Sequence, residues 1–380
     1  VRLIRPCCLL LASALGAGVV PSHAAPEPAT ASAPPAPEAA PDPYAPAREL
    51  IADIGRIVTP NGVQETFEVT LGGTRQVVNV RGTDRRHPLL LFVHGGPASV
   101  EMPMAWTFQR PWEDYFTVVQ WDQRAAGRSY PLNEPAKIAA TLTPDRYRDD
   151  AIELIEQLRR RYGQRKVFLM GYSWGSMVGL AVAAKRPDLL HAYVGIGQGV
   201  DFRENERVGY AWTLERARAE GNDKALRELE AIRPYPGDGP LDFAKTTVQR
   251  NWSVYYGALA AYRHDANFYF RSTRLSPEYT PADRRAWNDG AEFTMKLLWP
   301  QLANLSFASL RRLDVPVVLL LGRHDYTTPS TLAAEWLGRL QAPAKKAVWF
   351  EHSAHMPMVE EPGRVLVTLV TEVLPHAAGP

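Results

Sequence analysis

The chain has 380 residues, 46% of them hydrophobic and 22% charged, the composition of a folded protein with a sizeable core. Lys and Arg number 43 against 41 Asp and Glu, so the charge balance gives no electrostatic reason to bind nucleic acid or an anionic membrane. The two cysteines, Cys7 and Cys8, sit together near the start, and everything after them lacks disulfide or thiolate chemistry.

Arg2 and Arg5 precede an apolar run over residues 7–20 and the small residues Ser22 and Ala24. This is the pattern of a cleaved secretory signal over 1–24, because the run falls short of the ~20 residues that cross a bilayer; an uncleaved anchor is the alternative. An exported protein, periplasmic or extracellular, is therefore expected, with no stable membrane insertion after cleavage. Residues 25–47 are dominated by Ala and Pro, a composition that stays extended and cannot bury a core, so they read as a tether.

Beyond the tether the chain alternates between strand-like and helix-like segments. Residues 64–70 and 75–81 form an antiparallel pair around Gly72-Gly73. Short apolar runs at 89–93, 117–121, 166–170, 192–196 and 315–321 have the character of strands buried on both faces. Between the second and third of these, Tyr147, Ala151, Leu154, Ile155, Leu158 and Tyr162 recur at helical spacing. The fold class predicted is α/β: a mostly parallel central sheet flanked by helices, split into 48–197 and 306–380. Residues 198–305 break the rhythm, with helical periodicity around 204–219 and 241–262 and no buried-strand run, and are expected to form a helical cap over the carboxyl edge of the sheet.

Gly171-Tyr172-Ser173-Trp174-Gly175 follows one buried run and precedes apolar residues at helical spacing. A strand, a sharp turn and a helix are what a nucleophile elbow requires, and the glycines leave room for a serine held in a strained backbone conformation. A serine hydroxyl needs a base, and the base needs a carboxylate to fix its tautomer. Asp325 lies just past the run 315–321, and His355 follows the strand-like 347–350; His352 is the rival base. The His352/His355 pair lacks the downstream ligands and His-Glu context of a zinc protease, so no metal and no cofactor are expected. The oxyanion formed on attack requires donors already in place, and the candidates are the N–H groups of Trp174 and of Gly96 in the loop His94-Gly95-Gly96-Pro97.

Three segments together, His94-Gly95-Gly96-Pro97-Ala98, Trp121-Asp122-Gln123-Arg124-Ala125-Ala126-Gly127-Arg128-Ser129 and Gly171-Tyr172-Ser173-Trp174-Gly175-Ser176, resemble the proline iminopeptidase-like branch of the α/β-hydrolases, serine peptidases of family S33. The resemblance covers about 60–186 and resumes over 315–362. It implies the α/β-hydrolase fold with an inserted cap, and removal of an N-terminal residue, often proline, from a small peptide whose free amine is held by acidic groups of the cap. It also implies that the Trp-Asp-Gln-Arg segment braces the active-site loops through ion pairs. The chain departs from the family pattern at Ala98 and Ala125, where the family has glycine, and it lacks the cap segment Trp-x-x-Trp-Glu; the nearest stretch is residues 251–256. Glu204, Glu206 and Glu215 are the acidic cap candidates for the amine, with a solvated helix face as the competing reading. Two other functions remain: an ester or other acyl hydrolase on the same triad, and a binding protein that keeps the fold without catalysis.

Overall fold

The computed structural model describes residues 42–378; the expected signal at 1–24 and most of the tether lie outside them. The end of the tether is helical, because residues 45–47 open the helix Ala45–Ile54, with Pro46 in its first turn.

Eight strands build one sheet: β1 Val63–Leu71, β2 Thr74–Gly82, β3 Leu89–Val93, β4 Thr117–Asp122, β5 Val167–Tyr172, β6 Leu190–Ile196, β7 Val317–Gly322 and β8 Lys345–Phe350. Their order is β1-β2-β4-β3-β5-β6-β7-β8. β1 pairs with β2, and β2 with β4, in antiparallel fashion; every later pair is parallel. The edge strand β1 alternates exposed and partly buried residues, whereas β3 to β5 and β7 are buried throughout. That contrast follows from helices covering both faces. Leu89, Leu91 and Val93 of β3 point into one core with the helices Pro144–Tyr162 and Trp174–Lys185, while Leu90 and Phe92 point into the other with Trp112 and Val365.

The cap enters after β6 and returns before β7. Its neck is closed by antiparallel pairing of Asp201 with Ser306, with Phe202 N–H on Leu305 O at 3.0 Å and Phe307 N–H on Val200 O at 2.7 Å. The cap helices Phe202–Ala219 and Asp223–Ala231 surround a small core of their own that includes Tyr210, Leu214 and Leu229. The helical pattern expected over 241–262 stops early, as the helix Phe243–Tyr255. Gly257, at φ 89°, ends it, with its N–H on Val254 O and the Ala258 N–H on Ser253 O, the paired bonds of a Schellman cap.

The helix Pro281–Leu298 was not anticipated from periodicity. Its signal was at its start: Thr280 and Asp283 form a capping box and Pro281 occupies the first turn. Among the described residues no helix is long and apolar enough to cross a membrane.

Candidate active site

β5 runs straight into Ser173, whose φ of 55° and ψ of −122° form a sharp turn before the helix Trp174–Lys185. A residue with a Cβ in that region stores on the order of 1–3 kcal/mol, and the turn persists because its surroundings leave it no alternative. A Cβ on Gly171 would come within 2.4 Å of Gly175 O, and one on Gly175 within 2.0 Å of Val93 O. The Ser173 N–H meanwhile donates to Ile196 O of β6 at 2.9 Å, fixing the elbow to the sheet.

Asp325 lies in the loop after β7 and His355 in the loop after β8. His355 Nδ1–H donates to Asp325 Oδ2 at 2.8 Å, and both side chains are buried. The carboxylate is itself held: Oδ1 accepts the N–H groups of Thr327 and Thr328, both at 2.9 Å, and Oδ2 accepts the Thr328 hydroxyl at 3.0 Å. With Nδ1 occupied as a donor, Nε2 is the nitrogen left to take a proton. Ser173 and His355 line the same cavity, of about 460 Å³. His352 is exposed and is held through its backbone N–H, which donates to Glu361.

Gly96, at φ 110°, lines that cavity, and Trp174 is the first helical residue after the nucleophile, so its N–H has no carbonyl one turn back within the helix. Gln123 connects the two. Its N–H donates to His94 Nε2 at 3.2 Å, its side-chain NH₂ donates to His94 O at 2.8 Å, and its Oε1 accepts Trp174 Nε1–H at 3.2 Å. Burial pushes the His94 imidazole down to about 4, so it stays neutral and can accept from Gln123 while donating to Gly95 O. The expected bracing by ion pairs is thus corrected: neutral amide bonds from Gln123 tie the loops. The Arg124–Asp150 pair, at 2.8 Å and fully buried, holds the segment against the helix Pro144–Tyr162 instead.

Ala98 and Ala125 adopt φ of 60° and 58°, the left-handed conformation that glycine takes without cost. The cap grips both positions: Trp287 Nε1–H donates to Ala98 O at 2.9 Å and Thr294 Oγ1 to Ala125 O at 3.3 Å. Asp122 accepts the Arg128 N–H at 2.9 Å and the Tyr279 hydroxyl, and burial pushes its carboxyl up to about 6.

None of Glu204, Glu206 and Glu215 lines the catalytic cavity. Glu204 pairs with Arg207 on the surface, and Glu215 is exposed. Glu206 is buried but satisfied by Arg250 and the Tyr235 hydroxyl. The helix that carries them turns its buried face toward the core of the cap, which leaves these acids either solvated or internally paired. Acids that do line the cavity are Glu101, Asp289 and Glu292, none of which periodicity singled out. Glu292 is paired with Lys296 at 2.6 Å, and Asp289 is exposed. Glu101 is buried, and burial pushes its carboxyl up to about 8. Its one signal in the sequence is that it stands as the single charge in residues 98–107.

Residues 88–362 match the alpha/beta hydrolase fold family. The chain is 30% identical over 315 residues to the "Probable aminopeptidase YbaC" of Bacillus subtilis (strain 168), covering 81% of this chain and 96% of that protein. It is 33% identical over 301 residues to the "Proline iminopeptidase" of Neisseria gonorrhoeae, covering 76% and 89%. In three dimensions it resembles the proline iminopeptidase of Mycobacterium smegmatis with a TM-score of 0.57 at 19% identity, covering 83% of this chain and 100% of that one, a likeness of fold. The chain is a hydrolase of the α/β-hydrolase fold family and belongs to its proline iminopeptidase-like branch.

Proposed function

We propose that this protein is an exported serine aminopeptidase that releases the N-terminal residue of small peptides. The observation that carries the reading is the His355–Asp325 couple, 2.8 Å apart, opening on the same cavity as a serine held at φ 55°. Relatives that match most of their own length bear the names aminopeptidase and proline iminopeptidase.

In this mechanism His355 Nε2 takes the Ser173 hydroxyl proton as Oγ attacks the first peptide carbonyl. Asp325 holds the resulting imidazolium, and the N–H groups of Gly96 and Trp174 meet the oxyanion. His355 then returns the proton to the departing amine. Water, activated by the same histidine, attacks the acyl-serine ester and frees the N-terminal residue together with Ser173.

The test uses prolyl- and alanyl-naphthylamides with their N-acetyl counterparts. Cleavage of the free amines alone is the expected result. Equal cleavage of free and acetylated amides, or cleavage of neither with rapid turnover of esters, would establish an ester or acyl hydrolase instead. Absence of labelling at Ser173 by a fluorophosphonate would establish a binding protein. Export rests on the basic and apolar pattern of residues 1–24, and mass spectrometry of the exported protein should find its N-terminus near Ala25.

A further inference from the structure

Among the described residues, one of the three acids that line the catalytic cavity is buried, and the triad leaves it unused. Glu101 is 2% exposed, yet it lines the cavity together with Ser173 and His355. Tyr269, a buried cap residue, donates its hydroxyl to Glu101 Oε2. Around them the wall is largely apolar, with Leu259, Phe270, Trp287 and Trp299. A carboxylate in such surroundings is costly unless a cation meets it. The basic side chains that line the cavity are committed elsewhere, Arg250 to Glu206 and Lys296 to Glu292. The position is therefore built to hold a carboxyl group and leaves the countercharge to come from a ligand.

We propose that Glu101, oriented by Tyr269, receives the α-ammonium of the substrate's N-terminal residue. The amine anchor then lies on the loop that also carries Gly96, and not on the helix of Glu204, Glu206 and Glu215. One loop thereby holds both ends of a single residue, its amine and its scissile carbonyl, which restricts cleavage to the first peptide bond. In the empty cavity Glu101 keeps its proton at neutral pH, since burial holds it near 8. Binding of an ammonium releases that proton to solvent, and binding of the free amine transfers it to nitrogen, so both routes lead to the same ion pair. The assignment rests on the aminopeptidase reading, but it can be tested without peptidase turnover.

The experiment follows hydrolysis of p-nitrophenyl acetate and measures inhibition by L-prolinamide and by N-acetyl-L-prolinamide. In the wild type the free amine should inhibit roughly ten- to a hundred-fold more tightly than the acetylated compound, the value of a charged hydrogen bond. Glu101→Gln should bring that ratio close to one, and Glu101→Asp should recover part of it. A ratio near one in the wild type, an unchanged ratio in Glu101→Gln, or a collapse in Asp289→Asn or Glu292→Gln instead would overturn the assignment. If Glu101→Gln fails to fold, as circular dichroism would show, the wild-type ratio decides: it should fall as pH is lowered from about 8 to about 6 and Glu101 regains its proton. The other titratable groups that line the cavity are Tyr172, Tyr269, His355, Asp289, the pair Glu292–Lys296, and Arg250, which is held by Glu206 outside the lining; a change in the triad acts on the reporter equally for both inhibitors. A ratio constant over that range overturns the proposal. Loss of the aminopeptidase reading would show separately, as failure to cleave aminoacyl naphthylamides while inhibition by the amine persists.

Discussion

The backbone N–H of His355 donates to the carbonyl of Leu259 at 3.2 Å, so the proposed base of the triad hangs from a residue of the cap. The same cap segment reaches the acid loop, where Thr327 Oγ1 donates to Ala258 O at 3.2 Å. Glu360 completes the connection. One of its oxygens accepts the Ala261 N–H at 2.6 Å, and the other accepts the N–H groups of Ala354 at 2.9 Å and Met356 at 3.3 Å. Burial raises its carboxyl above the ordinary range.

Glu360→Gln replaces one of these acceptors with an NH₂ group that faces backbone N–H donors. It should cost about 1–3 kcal/mol of stability, the penalty for leaving buried donors unmet. Because the donors flank His355, ester turnover should fall as well, with partial recovery in Glu360→Asp. Thermal denaturation and kcat measured on the same preparations check both effects, and an unchanged kcat would mean that the segment does not position the histidine.

The two histidines of the loop after β8 should behave differently on substitution. His355→Ala removes the partner of Asp325 and should lower kcat by several orders of magnitude, as loss of a triad member does. His352→Ala, at an exposed position, should turn over close to wild type. Burst and steady-state kinetics on an activated ester separate the two; a dead His352→Ala beside an active, folded His355→Ala would reverse the assignment.

Ala98 and Ala125 hold left-handed φ values that cost a residue bearing a Cβ about 1–2 kcal/mol. Ala98→Gly and Ala125→Gly relieve that strain and lose only chain entropy and one methyl group, so each should leave stability unchanged or raise it by about 0.5–1 kcal/mol. Ala151→Gly, in the interior of the helix Pro144–Tyr162, relieves nothing and should cost about 1 kcal/mol or more. Urea midpoints at constant m-value provide the comparison.

Asp122 should contribute a pH dependence of its own. Its carboxyl rises from 3.8 to about 6 on burial, so between these values the folded state binds more protons than the unfolded chain. Stability contributed by this group is therefore present below pH 3.8 and is lost as pH rises to about 6, by on the order of 3 kcal/mol. The difference in unfolding free energy between wild type and Asp122→Asn should fall across that window and level off above it. A difference that is flat, or that rises with pH, would show that the Tyr279 and Arg128 contacts favour the charged form more than burial disfavours it.

Much of the fold was legible because its signals are local. The run 89–93 coincides with β3, and Gly171 and Gly175, two residues to either side of Ser173, announce a turn so tight that a Cβ at either position would meet backbone. Ser173, Asp325 and His355 were nominated from chain order and from the strand preceding each one. The end of the helix at Gly257 and the start of the one at Thr280 were also written locally, in a C-terminal glycine and a capping box, although apolar periodicity did not show them. What the sequence could not decide was which acids face the substrate. Glu204 and Glu215 lie about three turns apart on one stripe of their helix, with Glu206 on the other side, and periodicity yields that arrangement whichever way the helix is docked. Only the packing of Tyr210 and Leu214 into the cap's own core turns the helix so that all three acids miss the cavity. Glu101 was hidden for the matching reason: its burial and its contact with Tyr269, distant in the chain, arise only when the cap closes over the sheet, and no local pattern encodes a countercharge brought in by a ligand.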